Sequence, residues 1–314
     1  VIGGKKIKFE IDAEDDAGDP RQATAVAQKL CDQHVAGVVG HLQSGTSIPA
    51  SAIYAKCDMP HITASASNPD LTKPGHKTTF RLIVNDNALG AALALFGADH
   101  LKIKSVAIID DRTAYGQGVA SVFKATALQK GLKVVSEEFT NDKATDFMAI
   151  LTSIKNKKPD AIFYGGLDAQ AGPMLRQMEQ LGLGDVKFFG GDALCTEKLP
   201  ELSGKTPALK NVTCATGGAS IGKMQGGAEW KKRYDAKFPG QFQIYSPYAY
   251  DAAMVLADAM KRANSVDPKV FVPLISKAEY KGVTANIAFT SKGELTTPAV
   301  TLYTYKDGSR VALN

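Results

Sequence analysis

Gly37-Val38-Val39-Gly40-His41-Leu42-Gln43-Ser44-Gly45-Thr46-Ser47 reads as a short apolar strand that runs into glycine and polar residues and then opens a helix. Before it come a strand-like alternation, Lys6-Ile7-Lys8-Phe9-Glu10-Ile11, an acidic loop, Asp15-Asp16-Ala17-Gly18-Asp19, and a helical stretch over 20–33. The same order recurs later: Leu132-Lys133-Val134-Val135, the loop Thr140-Asn141-Asp142, a helix over 145–156, and Asp160-Ala161-Ile162-Phe163-Tyr164-Gly165-Gly166. Two similar β-loop-α-β units in one chain predict two similar lobes. Each ends in a strand followed by glycine and a polar residue, the place where open α/β sheets present ligands. Two such edges facing one another would form a cleft.

The alternation of short β-rich runs with helical segments continues around both units. Strands are expected at 5–11, 36–41, 60–63, 104–110, 132–138, 160–164, 187–190 and 211–215, with helices at 20–33, 46–56, 87–101, 115–130, 145–156 and 168–182. That is the signature of parallel sheets covered by helices on both faces, an α/β class with two doubly wound, Rossmann-like lobes. After 216 come helices at 226–238, 246–264 and 267–276, then strands at 283–289 and 299–305. Those helices need a sheet to cover, and the first lobe lacks partners. The expected division is 1–84 plus 217–292 for lobe 1 and 85–216 plus 293–314 for lobe 2. The chain then crosses three times, near Ile83–Asp86, Thr216–Gly218 and Ser291–Gly293, which makes a three-strand hinge.

The chain has 314 residues, 44% of them hydrophobic, enough for two cores. The formal net charge of +5 is small, and its lysines and arginines are scattered; the densest group, Lys155–Lys158, reads as a solvated turn, so no nucleic-acid surface is implied. No run of apolar residues is long enough to span a membrane. Cys31 and Cys57 end successive helices, and Cys195 and Cys214 bracket a loop segment. Either two disulfides, which place the protein in an oxidising compartment, or four buried thiols fit these positions; no zinc-type spacing is present.

Two corners carry hydroxyl donors. Ser44, Thr46 and Ser47 open a helix after one strand, and Ile62-Thr63-Ala64-Ser65-Ala66-Ser67-Asn68-Pro69 follows the next. Together they suit one carboxylate held by neutral donors without an arginine; simple capping turns are the alternative. In the second lobe the strand-end loops carry Tyr115, a cover for an apolar ligand part or an ordinary surface residue, and Asp168 and Asp192. Either aspartate is placed to receive an ammonium group or to cap a helix. Five histidines, at 34, 41, 61, 76 and 100, show no ligand spacing. No nucleophile elbow, phosphate loop, cofactor cradle or metal loop is present, so no enzyme, cofactor or metal is expected.

These residues, in order along nearly the whole chain, resemble the type I periplasmic binding proteins, in particular the leucine/isoleucine/valine-binding group that serves ABC importers. The matching stretches are Asp15-Asp16 with Pro20, Val39-Gly40-His41 through Ser44, Ile53-Tyr54, Pro60 to Ser67, Tyr115-Gly116, Tyr164-Gly165-Gly166, Gly191-Asp192 and Tyr248-Ala249-Tyr250-Asp251-Ala252. The resemblance implies that Ser44, Ser65 and Ser67 hold the ligand carboxylate, with Leu42, Gln43 and Ala66 on the same turns. It puts the ligand amine on Asp192, shorter here than the glutamate common in relatives. Tyr115 would pack on the ligand, Leu167 would stand where some relatives carry a tyrosine, and Tyr245 would close the pocket. It also implies a periplasmic monomer whose partner is a membrane permease. Family members begin with a strand, loop and helix ahead of the position of Val1, so a site built from these residues alone is expected to be incomplete. The expected function is capture of a small neutral L-amino acid, branched-chain first, by hinge closure. An amide- or amino-acid-sensing regulatory module of the same fold is the alternative.

Overall fold

The computed structural model describes residues 1–313. They divide into two compact units, Val1–Val84 with Gly218–Ala299, and Asn85–Gly217 with the chain from Val300 onward.

The first unit opens with a bridge between Ile2 and Lys5, and residues 6–16 then run without secondary structure. The strand expected at 5–11 does not form. Its alternation is correct, but a strand exists only against a hydrogen-bonded neighbour, and none of the described strands lies beside it. Ile7, Phe9 and Ile11 therefore stay exposed. Helix α1, Pro20–Asp32, starts where Pro20 supplies a helical φ and where Asp19 accepts hydrogen bonds from the backbone N–H of Arg21 (2.8 Å) and Gln22 (2.9 Å). Its buried stripe is Ala23, Ala27, Leu30 and Cys31, the spacing of one helical face. Strand β1 (Val38–Val39), helix α2 (Ser44–Lys56), and strands β2 (His61–Thr63) and β3 (Thr79–Arg81) follow; the strands are parallel in the order β1-β2-β3. The sequence reading did not anticipate β3. Cys31 and Cys57 form a disulfide that joins the ends of α1 and α2, with Cα atoms 6.0 Å apart.

The second unit continues with α3 (Asp86–Leu95), extended by a π-helical turn at Phe96–His100, β4 (Ser105–Asp110), α4 (Ala114–Gln129) and β5 (Lys133–Phe139). Next come α5 (Met148–Lys157), β6 (Ala161–Gly165), α6 (Asp168–Gln180), β7 (Lys187–Gly190), α7 (Leu199–Leu202) and β8 (Val212–Gly217). The all-apolar stretches of β4 and β6 are buried on both faces, as a helix-covered parallel sheet requires. Phe123 of α4 stacks on Phe163 of β6 at 4.2 Å, and Ile162, Leu175, Met174 and Phe188 fill the opposite side. A second disulfide, Cys195–Cys214, ties the loop after β7 to β8. Of the two arrangements open to the cysteines, the structure has both bridges and no free thiol.

The chain returns to the first unit with α8 (Gly227–Lys237), α9 (Ser246–Ala263), α10 (Pro268–Ile275) and the two-residue antiparallel pair β9 (Tyr280–Lys281) and β10 (Asn286–Ile287). The strand expected over 283–289 shrinks to β10. Ala252, Val255 and Ala259 of α9 and Phe271 of α10 bury against Ile62 and Phe80, so these late helices do cover the first unit's sheet. Residues 293–299, assigned to the second lobe by the sequence reading, belong to the first unit. Gly293 accepts from the Arg81 N–H at 2.9 Å, and Glu294 meets the Arg81 side chain. Finally β11 (Val300–Lys306) and β12 (Ser309–Ala312) complete the second sheet in the order β12-β11-β8-β7-β6-β4-β5, with β11 antiparallel to both neighbours. Among the described residues no helix is long and apolar enough to cross a membrane.

Candidate functional site

In the first unit the expected corners lie at the carboxyl ends of β1 and β2. Their backbone is held by a chain of short side chains. Thr63 Oγ1 accepts from the N–H of Ala66 (2.9 Å) and Ser65 (3.3 Å) and donates to the His41 carbonyl (3.2 Å), which also accepts from Ser47 Oγ (3.2 Å). Ser65 Oγ donates to the Leu42 carbonyl at 2.7 Å, and Ser44 Oγ accepts from the Asn68 N–H at 3.1 Å. The hydroxyl proton of Ser65 and the N–H of Ala66 therefore serve the turn itself. Ser67 differs: its Oγ is fully buried and finds no hydrogen-bond partner among the described residues. Leu42 is 63% exposed, and Gln43 lies against Gly18 of the acidic loop.

Three residues behind these corners were not assigned to the site from sequence. His41 is buried, with Nδ1 2.6 Å from Asp16 Oδ2 and Nε2 2.9 Å from the Tyr54 hydroxyl. Partial burial pushes the Asp16 carboxyl upward, but hydrogen bonds from His41 and the Gly18 N–H outweigh it, and its pKa falls below the ordinary carboxylate value. Asp16 is thus a partly buried partner of His41 rather than an exposed member of the acidic loop. The third is Arg81, the largest fully buried side chain, at 0% exposure. The sequence offered one signal for it: a single charge within the apolar run Phe80–Val84, which marks a buried, paired cation. Asp251, in the Tyr-Ala-Tyr-Asp-Ala stretch, is structural. It accepts from the N–H of Val283 (2.9 Å) and Thr284 (2.8 Å), and burial raises its pKa despite these bonds. Tyr245 precedes α9 and is half-buried.

In the second unit Tyr115, at the start of α4, and Asp192, just after β7, come together. The Tyr115 hydroxyl donates to Asp192 Oδ1 at 2.9 Å, and the Ala193 N–H reaches both Oδ1 (3.1 Å) and the Tyr115 oxygen (3.2 Å). Asp192 is 1% exposed, so its carboxylate is a buried acceptor fixed in place by a phenol. Asp168 is engaged otherwise, accepting from Thr196 Oγ1 at 2.6 Å within the first turn of α6, and Leu167 precedes that helix half-buried. Asp111 anchors the turn into α4, accepting from the N–H (2.9 Å) and hydroxyl (2.6 Å) of Thr113. Burial pushes its carboxyl up, and it pushes the neighbouring Tyr164 phenol up as well. The turn depends on Gly116, where a Cβ would lie 2.1 Å from Asp111 Oδ1 and 2.5 Å from the Gly165 carbonyl. Among the described residues no cluster of metal-ligating side chains occurs.

The arrangement offers the buried Ser67 hydroxyl in one unit and, in the other, the buried Asp192 carboxylate held by Tyr115. Residues 2–310 match the family model described as periplasmic binding protein. The chain belongs to that family. It is 34% identical over 310 residues to a "Leu/Ile/Val-binding protein homolog 1" from Brucella suis biovar 1, covering 98% of this chain and 81% of the relative. With the "Leucine-, isoleucine-, valine-, threonine-, and alanine-binding protein" of Pseudomonas aeruginosa it shares 31% identity over 297 residues, 94% of this chain and 79% of the relative. Among solved structures, a leucine binding protein from Thermotoga maritima superposes with a TM-score of 0.91 at 25% identity, covering 100% of this chain and 89% of that one. The fold is also that of a branched-chain amino acid transporter substrate binding protein from Streptococcus pneumoniae in complex with isoleucine, with a TM-score of 0.86 at 24% identity over 99% and 88% of the two chains. The two-lobed α/β architecture and the solute-binding role thus stand together, and members of this family are binding proteins rather than enzymes.

Proposed function

We propose that this periplasmic binding protein is the monomeric receptor of an ABC importer. It captures a small neutral L-amino acid in the periplasm, with branched aliphatic side chains favoured, and hands it to a membrane permease. The observation that carries the reading is the buried Asp192 carboxylate held by Tyr115 at the end of β7. A single acidic acceptor of that kind suits an ammonium group, and the unpartnered Ser67 hydroxyl suits the carboxylate of the same zwitterion. Closure of the two lobes by hinge bending would bring both ends of the ligand under control. Leu42 and Leu167 would then sort side chains by volume, and since one methylene is worth about 1 to 3 kcal/mol, several similar amino acids should bind. The two disulfides favour an oxidising compartment over the reduced interior that a cytosolic sensing module would occupy.

Titration calorimetry against the standard amino acids, after unfolding and refolding to strip carried-over ligand, tests the proposal. One-to-one binding of leucine, isoleucine or valine is expected. Binding of none of them by the folded protein would overturn it.

A further inference from the structure

We infer that Arg81 is a positioning residue that fixes the carboxylate-receiving turn around Ser67. Its guanidinium has five N–H donors, and every one is used. Nη1 donates to the carbonyls of Ala66 (2.8 Å) and Asn68 (3.0 Å), the residues on either side of Ser67. Nη2 donates to Thr72 Oγ1 (3.0 Å) and Glu294 Oε1 (2.7 Å), and Nε donates to Glu294 Oε2 (3.1 Å). Drawing both flanking carbonyls toward the guanidinium holds the turn in one orientation, with the Ser67 hydroxyl between them left without a partner among the described residues. Glu294 neutralises the charge, so Arg81 acts through the backbone it grips and not as a bare cation behind an anionic ligand. A buried guanidinium is costly unless its geometry is fully satisfied. Here the Glu294 ion pair and the five hydrogen bonds offset that cost, and they use a planar fork of donors that lysine's point charge does not have. The sequence reading expects a carboxylate corner without an arginine; Arg81 lies behind that turn and touches its backbone.

The inference rests on the proposal that this turn receives a carboxylate, and its test separates the two. Leucine and leucinamide, which lacks the carboxylate, are titrated against wild type, Arg81→Lys and Glu294→Gln. Loss of a fixed carboxylate turn should weaken leucine by about tenfold or more, the worth of one or two charge-assisted hydrogen bonds. Leucinamide should change by less than about threefold, within the spread expected of uncoupled sites. Equal weakening of both ligands, or unchanged leucine affinity in a folded variant, would overturn the role of Arg81. Glu294→Gln keeps the shape of the pair and answers the question if Arg81→Lys fails to fold. If wild type binds no amino acid, the functional proposal fails on its own. The positioning role is then decided by amide exchange at Ser67 and Asn68: faster exchange in the variants supports it, and unchanged exchange refutes it.

Discussion

Asp192→Asn isolates charge from shape. In the native protein Asp192 Oδ1 accepts from the Tyr115 hydroxyl at 2.9 Å and from the Ala193 N–H at 3.1 Å. An amide oxygen at the same position can take both bonds, so the loop after β7 and the start of α4 should keep their geometry. What disappears is the negative charge offered to a ligand ammonium. A hydrogen bond to a charged group is worth about 1.5 to 3 kcal/mol, so the dissociation constant for leucine should rise by about tenfold to a hundredfold. The site is buried, which leaves little screening by salt, and the effect should persist at high ionic strength. The assay is calorimetry with leucine and with 4-methylpentanoate, the same skeleton without the amine. The substitution should close most of the gap between the two ligands by weakening leucine alone. A change in leucine affinity below about threefold in a folded variant, under the 1.4 kcal/mol that a tenfold change represents, would refute the assignment of Asp192 as the amine anchor.

Other outcomes follow from the same geometry. Gly116→Ala should destabilise the second unit by roughly 3 kcal/mol or prevent its folding, because the new methyl would sit 2.1 Å from Asp111 Oδ1; a urea midpoint indistinguishable from wild type would contradict the close contact. Replacing Cys195 and Cys214 by serine removes a bridge between positions 19 apart in the sequence, with an expected loss of about 3 kcal/mol in chemical denaturation, and a loss near zero would show the bridge to be neutral. Acid should destabilise the first unit. Burial, aided by neighbouring His41, lowers the His61 pKa from 6.5 to about 3, so the unfolded chain binds the extra proton between those values. Stability should therefore fall as pH drops from 6.5 toward 3, by at most about 1.4 kcal/mol per pH unit from this group. Asp16 works in the same direction, since its lowered pKa stabilises the fold above its unfolded value and that contribution is lost as pH falls through the folded one. His61→Gln should flatten the acid limb of the pH–stability curve, and an unchanged slope would show that His61 contributes nothing to it.

Much of the second unit was legible because its strands carry their own evidence. Val106 to Ile109 and Ala161 to Tyr164 are continuous apolar runs of strand length between helical stretches, and only a doubly covered parallel sheet buries such runs. The first unit was harder. Thr79-Phe80-Arg81 is too short to show a period, and its arginine, the one charge in an apolar run, signals burial without naming the five acceptor atoms on four residues that satisfy it. Ile7, Phe9 and Ile11 show the opposite failure: a correct alternation reports a capacity to pair, but pairing is a property of two strands. Tyr115 and Asp192 could each be picked out from their strand-end positions, yet their mutual hydrogen bond spans 77 residues and no local pattern encodes it. Ser65 was read as a ligand donor because its residue type and position fit; only the position of the Leu42 carbonyl reveals where its proton goes.

The antiparallel pairing of β11 with β8 joins Val300–Tyr303 to Cys214–Gly217 across the whole returning segment of the first unit. A nascent chain that has reached residue 299 holds β8 as a bare sheet edge, the kind of edge that recruits other strands. Synthesis at about 5 to 20 residues per second prolongs that exposure for several seconds after β8 emerges. The second unit thus cannot complete its sheet until β11, Val300–Lys306, has been made. Any factor that holds the chain unfolded on its way through a membrane would be guarding, above all, the interval between these two strands.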